Sequence, residues 1–129
     1  MDGVEVTGVG AIERKRVIVK TLNDFQSAAS RTINPKLAKH QVEKHALFCL
    51  ASETGELLGV YQKQYQGHRF DEHHAKLEAG DVLWALAEYC TSMGWSLEEV
   101  AQANVDKLSA RYPAGFDPGH SLHRREGDI

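Results

Sequence analysis

Two cysteines and three prolines in 129 residues are too few for a disulfide-stapled or proline-rich architecture. Cys49 and Cys90 do not form a C-x-x-C pair, and each sits among apolar residues of a predicted helix, where a free thiol packs as a small hydrophobe. Long hydrophobic runs are missing too. No stretch approaches the roughly 18 apolar residues of a membrane span, and the first 20 residues lack the continuous apolar segment of a signal peptide. Charge of one sign is also scarce: the formal net charge of −3 and pI near 6.1 create no overall field that would gather nucleic acid. The local basic run "ERKRVIVK" (13–20) reads as a solvated leader rather than a polyanion site. Several catalytic signatures are absent. "GVGAIE" breaks G-x-G-x-x-G at its last position, and neither G-x-x-x-x-G-K-[ST] nor H-E-x-x-H occurs. No histidine has a glutamate three residues before it, which a di-iron carboxylate bundle with its E-x-x-H elements would require. A soluble, cytoplasmic protein that binds neither membrane nor nucleic acid is the expectation.

What is present is a helical pattern. A hydrophobic content of 42% suffices for one substantial core, hence one domain. Residues 1–20, with Gly3, Gly8 and Gly10, predict an irregular leader with room for a short strand at "RVIVK" (16–20). Thr21 can cap a first helix over 22–32, which Asn34-Pro35 ends. A second helix is expected over 41–65. A third is expected over 74–93, with Asp71 as an upstream cap and Gly94 as the stop. Ser96 and Glu99 form an S-x-x-E capping box that opens a fourth helix, ended before Pro113. The turn "QGHRFDEHH" gathers His68, His73 and His74 in what reads as a solvated loop, the alternative being a reach toward a phosphate or a soft metal, and residues 117–129 predict a flexible tail, ordered at most by a partner or ligand. The class is all-α, an antiparallel four-helix bundle with short connections.

The second and third helices share a device. "ETGE" places Glu53 and Glu56, and "EAGD" places Glu78 and Asp81, one turn apart on their respective helices. At about 100° per residue, both pairs fall beside the apolar stripe rather than opposite it. Carboxylates converging in a partly dry space repel, and each isolated ionised one costs several kcal/mol to desolvate, so they need cations. A hard divalent ion such as Mg²⁺ takes oxygen ligands of this kind. Gly55 and Gly80 would then permit a neighbouring backbone or a ligand to come close. The bland alternative makes each pair a solvated helix charge. On the fourth helix, Asn104 falls on the predicted core-facing stripe, where it needs a hydrogen-bonding or metal partner. Lys107 and Arg111 follow one and two turns on, suited either to a phosphate chain or to closing the helix against its dipole. Trp84, Phe48 and Tyr61 could wall a base pocket or simply belong to the core.

"ETGE", 21 intervening residues, "EAGD" and then "NVDKLSARYP" resemble the MazG-like all-α nucleoside triphosphate pyrophosphohydrolases over residues 22–116. "DVLWAL" and "SLEEV" belong to the same resemblance, whereas the leader and the His-rich tail fall outside it. The resemblance implies that Glu53, Glu56, Glu78 and Asp81 bind Mg²⁺, with Mn²⁺ able to substitute, and that Asn104 lies nearby. It implies hydrolysis of a (deoxy)nucleoside triphosphate to a monophosphate and pyrophosphate, with Glu53 as general base. Lys107 and Arg111 would hold the phosphates and Trp84 would contact substrate. It also implies a homodimer or homotetramer. Two other readings stay open: a phosphoribosyl-ATP pyrophosphohydrolase, and a non-catalytic nucleotide- or metal-binding oligomerisation module.

Overall fold

The computed structural model describes residues 15–128. Most of the expected irregular leader, residues 1–14, lies outside the described residues, as does Ile129. Residues 15–20 carry no regular element, so the short strand allowed at 16–20 does not form. Five helices follow: α1 (Leu22–Ser30), α2 (Lys39–Tyr65), α3 (Glu72–Met93), α4 (Leu97–Arg111) and α5 (Pro118–Leu122).

Local chemistry sets the boundaries. Thr21 Oγ1 accepts from the Asp24 N–H (3.0 Å), and the Asp24 carboxylate accepts from the Thr21 N–H (3.2 Å), a reciprocal capping box. Asp71 Oδ1 accepts from the His74 N–H at 3.0 Å, so α3 starts earlier than expected. His73 and His74 are therefore helical rather than loop residues. Gly94 closes α3 at φ +74°, a left-handed conformation that a side chain disfavours. Ser96 Oγ accepts from the Glu99 N–H at 3.1 Å, the serine half of the expected box.

Pairs across helices fix the register. His45 meets Glu88, while Glu53 meets Glu78 and Asp81, so residue numbers rise on α2 as they fall on α3 and the two form an antiparallel hairpin. Its buried aliphatic side chains are small: Ala46 and Ala85 are 0% exposed, and Val42, Val60 and Ala75 are also buried. Such side chains let helix axes approach closely. At the other end of α3, Ala29, Ala87, Cys90 and Leu97 form a core cluster with Phe25 and Trp84 against it, which anchors α1 and the start of α4. Cys90 is the buried structural thiol expected of it. Gln26 secures this junction by donating to the Trp95 carbonyl (2.8 Å) and accepting from the Leu97 N–H (2.7 Å). Beyond that junction α4 is exposed over 102–110. No helix among the described residues is long and apolar enough to cross a membrane.

Candidate metal centre

The α2–α3 register brings Glu53, from the middle of α2, against Glu78 and Asp81 in the first half of α3. One carboxylate oxygen of each lies within 4.8 Å of the others. The arrangement is electrostatically uncomfortable without a cation. The Glu53 carboxyl is held above the usual carboxylate range, first by partial loss of water, then by the charges of Asp81, Glu78 and Glu56, and further by a hydrogen bond to Glu78. Glu56, one turn on, is exposed and stands outside the trio, yet its charge reaches Glu53. Glu78 is mostly buried, and one of its oxygens lies 2.7 Å from His74 Nε2.

Three converging carboxylates are a hard-oxygen donor set, and they fit Mg²⁺. Of the two expectations for the glycines, the approach of a neighbouring backbone is not met within this chain. A Cβ added at Gly55 or Gly80 would meet nothing within 4 Å, so no neighbouring backbone of this chain crowds either position. They leave open space beside the acids instead.

The remaining predicted site residues sit elsewhere. Asn104 and Lys107 are exposed on α4, which meets α1 and α3 through its first turn. The core-facing placement of Asn104 is therefore overturned: the periodic stripe of α4 runs past the end of the core it would pack on. Arg111 forks onto the Asp128 carboxylate, with its Nε 2.8 Å from one oxygen, and its guanidinium carbon lies 5.9 Å from the centre of the Tyr112 ring. That ion pair closes one side of a cleft of about 360 Å³, lined also by Lys107, His120, His123 and Arg125. In the segment where a flexible tail is expected, Asp117 caps α5 by accepting from the His120 N–H at 3.0 Å. Trp84 packs against the core cluster and donates its indole N–H to Thr32 Oγ1 at 2.7 Å. Phe48 points outward, 71% exposed, and Tyr61 packs against Phe70 with the rings tilted, centroids 4.9 Å apart.

Sequence reasoning missed two groups. His74 belongs beside the acids, and its i, i+4 spacing from Glu78 was legible once Asp71 was taken as the cap. His45, Cys49 and Glu88 also converge, one turn along the seam from Glu53. Burial and the charges of Glu88 and Glu53 push the Cys49 thiol upward. Only the His45–Cys49 spacing was visible in the sequence, because Glu88 joins them across the helix pair.

A family model described as the MazG nucleotide pyrophosphohydrolase domain matches residues 41–116, more than half of the chain. The match begins inside α2, carries both acid pairs and ends after α4. No curated protein and no solved structure matches the chain.

Proposed function

The chain belongs to the MazG nucleotide pyrophosphohydrolase family, and on that premise we propose that it hydrolyses (deoxy)nucleoside triphosphates between the α and β phosphates with Mg²⁺ as its metal. The observation that carries this reading is the convergence of Glu53, Glu78 and Asp81 within 4.8 Å, with Glu56 adding charge one turn away. Those four acids would hold the ion, and Mn²⁺, with similar oxygen preference, would serve in its place. Mg²⁺ bound there supplies positive charge to offset the phosphates and makes a water more acidic.

The chain's own groups have separable tasks. Glu53 accepts a proton from the attacking water in this reading, since it lies at the centre of the acid cluster. His74 holds Glu78 in position through its 2.7 Å contact. Lys107, exposed on α4, and Arg111, largely covered at its end, carry positive charge suited to phosphates, and Asn104 lies on the same helix. Arg111 must leave Asp128 to engage a phosphate fully, because the carboxylate takes its fork in this arrangement. Trp84 keeps its proposed substrate contact only through the part of its ring that the core cluster leaves uncovered.

The chain functions as a homodimer or homotetramer in this reading. Support comes from the exposed side chains of Leu47, Phe48, Leu58, Leu77, Val105 and Leu108, apolar surface that association would cover. The test is pyrophosphate release from a panel of canonical and modified nucleoside triphosphates, with Mg²⁺ and with chelator, and with phosphate release as the control. Metal-dependent pyrophosphate release is expected. Its absence from a folded protein across the panel would end the reading and turn attention to phosphoribosyl-ATP or to a non-catalytic binding role.

A further inference from the structure

A second set of donors lies on the same helix seam and plays no part in the reaction above. His45 and Cys49 occupy successive turns of α2, and Glu88 faces them from α3. Glu88 is the most deeply buried charged side chain among the described residues, at 1% exposure. One of its oxygens lies 2.8 Å from His45 Nδ1, and the other, Oε2, is buried with no hydrogen-bond partner. Cys49 Sγ lies 3.6 Å from His45 Nε2 and 3.8 Å from Nδ1. One donor atom from each of the three residues falls within 4.8 Å of the other two.

A buried carboxylate with an orphaned oxygen is costly in a native core, and such a group calls for an explanation. The side chains around it narrow the choice. Trp84 meets the His45 ring edge-on at 6.4 Å, and Ala85 and Ala87 flank Glu88 on α3 as buried apolar residues. Neither kind of neighbour supplies a donor to Oε2. A cation would supply the missing partner and balance the carboxylate at once.

We propose that His45, Cys49 and Glu88 form a second metal site, selective for Zn²⁺ or a similarly thiophilic divalent ion and distinct from the acidic centre. One nitrogen, one sulfur and one oxygen donor are the mixed set that Zn²⁺ accepts in tetrahedral coordination, whereas Mg²⁺ disfavours thiolate. Binding would displace the Cys49 proton to solvent and form a metal–thiolate bond. The His45–Glu88 contact would open, because tetrahedral ligands at about 2.0–2.2 Å from zinc stand roughly 3.4 Å apart. His45 has freedom to make that adjustment, with 48% of its side chain exposed. Three protein donors leave the fourth position for water or an incoming ligand atom. The inference does not depend on the proposed reaction, since it uses none of the four acids assigned to it.

Cobalt(II) reports the thiolate directly. Titrating the full-length, metal-free, reduced chain with Co²⁺ is expected to produce thiolate-to-metal absorption in the near ultraviolet, saturating at one equivalent and discharged by Zn²⁺. Oxygen-only coordination at the acidic centre gives no such band, so Asp81→Asn should leave it intact. Cys49→Ser should abolish it and Cys90→Ser should retain it. His45→Ala and Glu88→Gln should each weaken binding about tenfold or more. Far-ultraviolet circular dichroism would check folding of each variant, and His45→Ala, at an exposed position, carries the test if the buried Glu88→Gln fails to fold. Absence of the band in the folded chain, its survival in Cys49→Ser, or its loss in Cys90→Ser would each overturn the site.

Discussion

The α2–α3 hairpin and α4 are both amphipathic helical segments, yet they end in opposite situations. The hairpin buries Ala46, Val60, Ala75 and Ala85 and aligns two clusters of polar side chains across its seam. Helix α4 buries Leu97 at its first turn and exposes Val100, Val105 and Leu108. Helical periodicity states which side of a helix is apolar, while the neighbour that covers it is a tertiary matter. A polar residue inserted beside a covered stripe becomes part of a site. The same insertion beside an uncovered stripe remains on the surface.

The largest expected effect falls within the hairpin. Glu53→Gln should lower kcat/KM for pyrophosphate release by about 10²–10⁴-fold through loss of the general base, while helicity is preserved. The same variant should raise the melting temperature of the metal-free protein at neutral pH. The folded pKa of Glu53 is raised, so its contribution to stability is present below the ordinary carboxylate range and is lost as pH rises through the raised value. Full turnover by Glu53→Gln would remove it from the chemistry, and an unchanged melting temperature would mean that its repulsion is relieved without protonation or metal.

Packing in the seam comes next. Ala85 is fully buried, so Ala85→Leu should destabilise the fold by about 1–3 kcal/mol in chemical denaturation. A neutral result would show that the hairpin has slack that the small side chains do not reveal. On α4 the expectation is gentler: Lys107→Ala should leave stability within about 0.5 kcal/mol and raise KM for a nucleoside triphosphate about tenfold. If KM stays constant while kcat/KM for every substrate is unaffected, α4 does not touch phosphate.

The smallest effect concerns the segment after α4. Arg111 holds the Asp128 carboxyl below the usual carboxylate range, chiefly through their hydrogen bonds. Stability from that pair is therefore present above the ordinary aspartate range and lost as pH falls through the lowered value. Amide exchange over 118–128 should accelerate below that point, and Asp128→Asn should show the faster exchange already at neutral pH. Equal protection in the variant would show that the ion pair does not hold the segment.

Much of the hairpin was legible. Acid pairs spaced by three, apolar stripes at helical intervals, Asp71 as a cap and Gly94 as a stop are local signals, and local backbone chemistry reproduces them in the fold. The joining of Glu53 with Glu78 and Asp81 was also within reach, because a short connection makes neighbouring helices antiparallel. Asn104 was misread because its position on the α4 stripe was taken to imply a covering neighbour. Glu88 escaped notice because a single glutamate in an apolar helix carries no spacing signal of its own.

Sequence alone sufficed for the four longer helices, most of their ends and the carboxylate pairs, though not for α5, since hydrogen bonding along the backbone and side-chain periodicity act over a few residues. Helix packing and the path of the chain place Glu88 against His45 and Cys49 with an oxygen unsatisfied, and Arg111 against Asp128. Those contacts join residues 43 and 17 positions apart. Their existence depends on the register of whole helices and the path of the chain after them, which local propensity does not encode.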